Sequence, residues 1–439
     1  MTLPRLLLAL LFLPALLAWS PPSQAGEGCC HHLDGHHAQC LALPGVAVTL
    51  RPGAKAGREL EEKLQHAAEL VQEKYRISDR LWTSTAMTPE VTPGQPFILT
   101  YSFVPDGTPI EPVFPGESHE PSYLYSRMNE VFPGGEQQWK SLIRRALTSW
   151  GQHAPITYIE VPDDGAPIPG SRGTPGVRGD IRIAMHRINP PDTDEFLSYA
   201  YYPDFGDIVL DSLNAPDLYT PWDDFMLLTE LIVHEHGHNL GLDHADPLNG
   251  TKIMEAFVGL GRYFPQEDDI RGVMFAYGDR FRPNQAPEDA VVLGMFPGNA
   301  PEQQTPAVAR LEGAAIFREG EDDWYEFTMP EPGRLFFRAV PVGTVYPEGP
   351  ENGPVVMLDA LRVHDLGLEL RGPPPGNLRL TVQQAPPGQP EVLQDVELEA
   401  GGPYRVRVFT TTGANATQRY AVEIGYRRQP DGPLLWIFR

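Results

Sequence analysis

Four side chains within eleven residues carry the chemistry on offer: His234, Glu235, His238 and His244, in His234-Glu235-His236-Gly237-His238-Asn239-Leu240-Gly241-Leu242-Asp243-His244. The pattern is H-E-x-x-H-x-x-G-x-x-H. On a helix advancing about 100° per residue, His234 and His238 lie about 40° apart on one face, one turn from each other. Two imidazoles so placed reach one metal at roughly 2.0–2.1 Å. Glu235 points about 60° beyond His238, able to touch a metal-bound water without displacing it. Gly241 supplies the left-handed residue that ends the helix and turns the chain back. That turn brings His244 round as a third ligand. The fourth corner of a zinc tetrahedron stays open, which marks a catalytic rather than a structural site. Zinc held there lowers the pKa of its water toward about 7, and Glu235 is placed to take the proton.

A bare H-E-x-x-H is weak evidence, but five fixed positions at about 5% each match by accident in roughly one of ten thousand chains this long. The elements that position the motif are also legible. Leu227, Leu231, His234 and His238 continue a single helical stripe, widened by Phe225, Leu228 and Ile232, so a buried helix is expected, capped by Asp223. His236 falls about 160° from His238 and reads as a bystander.

The signature followed ten residues later by Met254, in Thr251-Lys252-Ile253-Met254, resembles a metzincin with its Met-turn. The segment Phe264-Pro265-Gln266-Glu267-Asp268-Asp269-Ile270-Arg271-Gly272 through Tyr277-Gly278 resembles the terminal helix of the matrixin branch. Astacin-like and serralysin-like relatives carry a tyrosine two residues after the methionine. Ala256 stands there instead, which favours the matrixin arrangement of three histidines and water. The resemblance covers roughly residues 82–279, and the part from Trp82 also looks like bacterial secreted members of the family. It implies a zinc metalloendopeptidase with one catalytic zinc and with Met254 as an apolar floor beneath the ligands. The residues after Met254 depart from the family's pocket wall, with Glu255 and Ala256 in place of the usual pattern; Tyr263 is a candidate lid residue.

At 439 residues the chain calls for two folded domains plus extensions. Its 58 acidic and 34 basic residues give a formal charge of −24. No basic patch is there to release counterions, so nucleic acid and anionic membranes are excluded as partners. The 47 prolines and 42 glycines imply many turns without a collagen period. All three cysteines, Cys29, Cys30 and Cys40, lie near the start, so the folded domains rely on no disulfide.

Arg5, the apolar run Leu6–Trp19 and the small residues Ser23-Gln24-Ala25 make residues 1–25 a signal peptide and the mature chain a secreted one, off the membrane. Residues 29–40 hold three cysteines and four histidines, a composition for loose metal capture or a disordered tail. A thiolate capping the catalytic zinc is the sharper idea, but the family's Pro-Arg-Cys-Gly switch is absent. Residues 57–76 carry apolar positions at helical spacing, so residues 26–80 form a segment that is a candidate propeptide.

Residues 81–282 are expected to form an α+β, metzincin-like catalytic domain, a twisted mixed sheet with the active-site helix. Strands are expected at 97–104, 156–161, 180–185, 198–202 and 207–211, with an amphipathic helix over 136–150. Ser198, Tyr199, Ala200 and Tyr201 sit where matrixins place the edge strand that holds an extended peptide by its backbone. Tyr199 and Val209 occupy the nearest equivalents of the family's second zinc ligands and His186 stands alone, so no structural zinc is expected. Asp180, Asp207 and Asp211 are candidates for calcium.

A linker is expected at 283–288. Residues 289–428 alternate in short runs, among them Tyr325–Met329, Leu335–Val340 and Tyr420–Tyr426, which indicates a C-terminal antiparallel β-sandwich followed by a tail at 429–439. Asp322-Asp323-Trp324-Tyr325-Glu326-Phe327 and Tyr404-Arg405-Val406-Arg407-Val408 resemble the bacterial pre-peptidase C-terminal domain, implying binding, targeting or a removable appendage. The combined reading is a secreted, monomeric zinc endopeptidase acting on protein or peptide substrates. Its rival is an exported binding protein with a vestigial zinc domain and a ligand-binding sandwich.

Overall fold

The computed structural model describes residues 28–29, 41–43, 46–50, 74–78, 80–113, 116–189, 196–212, 225–255, 262–301, 307–350, 354–373, 379–413 and 415–429, with the backbone alone for those before 51. The expected signal peptide, most of the Cys/His tract, the helix over 57–73, Asp223 and Ala256 lie outside these residues.

The first part is built on one sheet of eight strands: β1 (Gly28–Cys29), β2 (Leu41–Leu43), β3 (Val46–Leu50), β4 (Phe97–Phe103), β5 (Ile156–Glu160), β6 (Ile181–His186), β7 (Phe196–Ala200) and β8 (Ile208–Asp211). Their order is β1-β3-β7-β8-β6-β4-β5, with β2 beside β3. Strands β5, β4, β6 and β8 run parallel, while β7 runs antiparallel to β8. Strands β6 and β8 are buried throughout, as parallel strands covered on both faces must be, with Arg182 and His186 of β6 buried among apolar neighbours.

Helices α1 (Leu124–Val131) and α2 (Gly135–Thr148) lie between β4 and β5, and α3 (Met226–Asn239) follows β8. Helix α2 buries Trp139, Leu142, Ile143, Ala146 and Leu147, one stripe at helical spacing. Helix α3 is different: every residue from Leu227 to Asn239 is buried. Two indoles pin its backbone, Trp150 Nε1 donating to Val233 O at 3.0 Å and Trp82 Nε1 to Asn239 O at 2.7 Å. The residue at its N-cap is Phe225, left-handed at φ 58° and without a side-chain cap.

Strand β7 is not an edge in this chain. Strand β3 pairs with it antiparallel, Ala47 opposite Ala200 and Val48 opposite Tyr199. A free strand edge presents unpaired N–H and C=O groups that attract a further strand, and the upstream chain supplies one.

After helix α4 (Glu267–Tyr277) come β9 (Val291–Val292), β10 (Gly298–Asn299), β11 (Ala309–Ile316), β12 (Asp322–Met329), β13 (Gly333–Pro341), β14 (Val345–Glu348), β15 (Val356–Asp359), β16 (His364–Arg371), β17 (Arg379–Val382), β18 (Glu391–Leu398), β19 (Gly401–Gly413) and β20 (Gln418–Arg428). One five-stranded sheet runs β10-β20-β13-β18 with β11 on β20, the other β17-β16-β19-β12-β9. Their buried residues form one apolar cluster, Leu335, Phe337 and Ile424 from the first with Tyr325, Leu368 and Val406 from the second. Pairing is antiparallel except where the two-residue β9 and β10 join parallel.

Next to and within the stretch expected to be a linker, Arg282 and Asn284 are buried against the strands that follow. Arg282 meets Glu321 at 2.6 Å and Trp324 N donates to Asn284 O at 2.8 Å. Helix α4 completes the seam: Arg271 is fully buried and donates through Nε to Thr417 O at 2.9 Å. Tyr346 donates to Asp268 Oδ1 at 3.0 Å.

Candidate metal centre and active site

His234 and His238 project from one face of α3, and the chain must then reverse to deliver His244. Gly241 makes that reversal at φ +81°, and a Cβ there would stand 2.4 Å from Arg80 O, so both conformation and space require glycine. Backbone bonds Gly241 N to His238 O (2.8 Å) and Leu242 N to Gly237 O (3.0 Å) close the helix end. A short upstream segment then clamps the returning loop, with Ser78 N donating to Gly241 O and Asp243 N to Arg76 O.

The three imidazoles converge, with one ligand nitrogen from each of His234, His238 and His244 lying within 4.8 Å of the others. Their ring centroids are 4.6 to 5.3 Å apart. The tautomers follow from what the outer nitrogens touch. His234 Nδ1 lies 2.5 Å from Ile253 O, and His238 Nδ1 lies 2.6 Å from Leu242 O. A carbonyl only accepts, so each Nδ1 carries a proton, which leaves Nε2 as the nitrogen that can ligate a metal. Those two Nε2 atoms face each other at 2.8 Å. At that distance the two nitrogens must share a proton or a metal cation, and three converging imidazoles are a zinc donor set. The residues present fit a zinc ion.

Glu235 is fully buried on the same helix. Its Oε1 accepts from Ser198 Oγ at 2.7 Å. His236 stays apart from the cluster: its Nε2 meets Tyr158 OH at 2.8 Å, and burial pushes its pKa down to about 3. Met254 lies beneath α3, close enough that a Cβ on Gly237 would stand 2.3 Å from its sulfur.

Three residues that hold this site escaped sequence reading. The Asp269 carboxylate accepts from Ile253 N (2.9 Å), Met254 N (3.1 Å) and Gln266 N (2.7 Å), so it fixes the turn whose carbonyl orients His234. Glu255 accepts from the backbone of Asn249, Gly250, Thr251 and Lys252 at 2.6 to 2.9 Å and shapes the preceding loop. Gly237 permits the close approach of Met254. Acidic residues buried as acceptors for a turn leave no periodic signal; only the capping box of α4, Gln266 with Asp269, was open to detection.

The other expected site residues separate. Tyr199 and Tyr201 point to the far face of the sheet, into a cluster with Val104, Ile110 and Val209. His186 Nε2 meets Glu117 Oε1 at 2.7 Å, and Tyr199 OH donates to the same oxygen at 3.0 Å. Asp180 gives its oxygens to Ala86 N, Thr100 N and Thr100 Oγ1. Asp211 accepts from Ile188 N at 2.8 Å. Neither oxygen of Asp207 has a hydrogen-bond partner among the described residues, and burial pushes its pKa up to about 8. Among the described residues the three aspartates do not converge into a metal cluster. Tyr263 is half-buried. His364 is buried, its Nε2 2.7 Å from Ala416 O.

Residues 122–278 match the matrixin family model. Matrix metalloproteinase-16 of Homo sapiens is 30% identical over 174 residues, 37% of this chain and 28% of that protein. Matrix metalloproteinase-15 of Homo sapiens is 30% identical over 153 residues, 31% of this chain and 21% of that protein. Stromelysin-1 of Rattus norvegicus is 25% identical over 233 residues, 48% of this chain and 44% of that protein. The chain thus spans less than half the length of each of these curated relatives. The segment that carries the three histidines is matrixin-like.

Proposed function

We propose that this protein is a secreted zinc-dependent endopeptidase, and the observation that carries the reading is the convergence of one ligand nitrogen from each of His234, His238 and His244 within 4.8 Å of one another. His234, His238 and His244 would hold the ion. When bound, zinc supplies polarisation of the scissile carbonyl and a water acidic enough to attack at neutral pH. Glu235 accepts the proton of the attacking water and passes it to the departing amine. The carbonyls of Ile253 and Leu242 keep His234 and His238 in the ligating tautomer through the cycle. Met254 holds the floor.

An extended polypeptide is the substrate, held by strand addition to the backbone of β7 once β3 is displaced. The export assignment rests on the apolar run Leu6–Trp19 behind Arg5. Among the described residues no helix is long and apolar enough to cross a membrane. We read the two C-terminal sheets as a β-sandwich whose role is binding or targeting.

The test is incubation of the zinc-loaded protein with denatured casein, with and without chelator, beside Glu235→Ala. Internal cuts that chelation abolishes are expected, with Glu235→Ala retaining zinc while losing at least about 100-fold in rate. Cutting that persists in Glu235→Ala or under chelation sinks the proposal.

A further inference from the structure

The structure assigns a second task to the strand beside the active-site helix, and the inference rests on the endopeptidase reading above. We propose that Ser198 is a positioning residue for Glu235, its hydroxyl fixing the rotamer of the carboxylate. Ser198 Oγ stands 2.7 Å from Glu235 Oε1, and both residues are fully buried. An ionised carboxylate can only accept, so the hydroxyl donates.

The two groups are 37 residues apart in the chain, and each is anchored independently. Ser198 sits opposite Leu210 of β8, a pairing that does not depend on β3. Helix α3 is fixed against the sheet by Asn239 Nδ2, which donates to Tyr201 O at 2.8 Å, and by the indole bonds of Trp82 and Trp150. Alternation along β7 turns Tyr199 and Tyr201 to the far cluster and leaves Ser198 facing the helix. A serine hydroxyl turns about a single side-chain torsion, whereas glutamate has three to restrain. The short, strand-borne group therefore sets where the long one points. An alanine would fill the same space against the helix without this donor.

The experiment compares wild type, Ser198→Ala, Ser198→Thr and Ser198→Cys as zinc-loaded full chains. Each is assayed on a fluorogenic peptide spanning a cut site mapped in denatured casein. Zinc stoichiometry, thermal midpoint and calorimetric affinity for acetohydroxamate, a zinc chelator whose hydroxyl proton a neighbouring carboxylate accepts, are measured alongside. Ser198→Ala is expected to lower kcat about 10- to 100-fold with KM within about twofold, because misdirecting a reacting group costs rate rather than binding. Its zinc content should stay at wild-type level, acetohydroxamate should bind about tenfold more weakly, and Ser198→Thr should recover most of kcat. Unchanged kcat in Ser198→Ala overturns the proposal, as does a loss that merely follows zinc content and that threonine fails to recover. Should the alanine variant not fold, Ser198→Cys decides, since a weak donor with wild-type kcat overturns it. If the wild type binds zinc yet cuts nothing, the endopeptidase reading fails alone. Acetohydroxamate affinity then judges Ser198, and equal affinity in wild type and Ser198→Ala overturns its role.

Discussion

The carboxylate of Asp269, on α4, accepts the backbone N–H of Met254 at 3.1 Å and that of the neighbouring Ile253 at 2.9 Å. Ile253 O in turn faces His234 Nδ1. A residue 35 positions downstream of the ligand therefore sets the ligand's orientation through one turn of chain. The same helix presents Asp268 to Tyr346 of β14 and Arg271 to Thr417, the residue before β20. The metal site and the second half of the molecule are thus joined through α4.

Asp269→Ala removes the acceptor of three backbone N–H groups, of which those of Ile253 and Met254 are buried. Leaving such donors unmet should cost about 2–5 kcal/mol of stability in the zinc-free chain. Zinc affinity should fall with it, since His234 loses its fixed tautomer. Urea unfolding and zinc titration check both, and wild-type affinity in a folded Asp269→Ala chain would show that the turn holds without the carboxylate.

Gly237 is buried on α3, and an added Cβ would stand 2.3 Å from Met254 Sδ and 3.0 Å from its Cε. Glycine is otherwise the poorer helix former by up to about 1 kcal/mol. Gly237→Ala should nevertheless destabilise by about 1–3 kcal/mol, because overpacking outweighs propensity here. Gly237→Ala combined with Met254→Ala should recover part of that loss. A rise in thermal midpoint for the single variant would contradict the contact.

Asp207 provides a pH dependence whose sign is fixed. Its pKa is pushed up to about 8, chiefly by burial, with Arg182 pulling it back and Asp163 adding to the rise. The unfolded chain releases that proton near about pH 4. The folded state therefore holds a proton that the unfolded state lacks between about pH 4 and pH 8, and stability falls with rising pH across that window. The full effect is on the order of a few kcal/mol. Asp207→Asn, always neutral, should gain on wild type as pH rises from about 5 to about 9 in zinc-free urea unfolding. A constant difference between the two proteins across that range would place the ionisation elsewhere.

Strand β3 pairs with β7 at the position proposed for substrate. A tethered strand competes at an effective concentration on the order of millimolar. A chain beginning at Lys74 should therefore cut denatured casein at least about tenfold faster than the full chain. Equal rates would mean that β3 does not bar the cleft.

The amino-acid sequence alone determined the local features: which histidines share a helical face, where the glycine must break the helix, and which runs alternate. These are properties of neighbours, set by the 3.6- and 2-residue periods and by the steric freedom of Gly241 at φ +81°. Its spacing was enough to name His234, His238 and His244, which the fold brings within 4.8 Å. What only the tertiary structure decided is everything that depends on pairing between distant segments. Tertiary contact closed the β7 edge with Val46–Leu50 and paired Arg282 with Glu321. It gave Asp269 its three donors, His186 its carboxylate and Glu235 its serine. A hydrogen bond from a buried side chain to a segment dozens of residues away has no period to betray it, since any donor of the right reach would serve. Those bonds exist because burial makes an unmet polar group costly, and the folded chain alone shows which partner answers it.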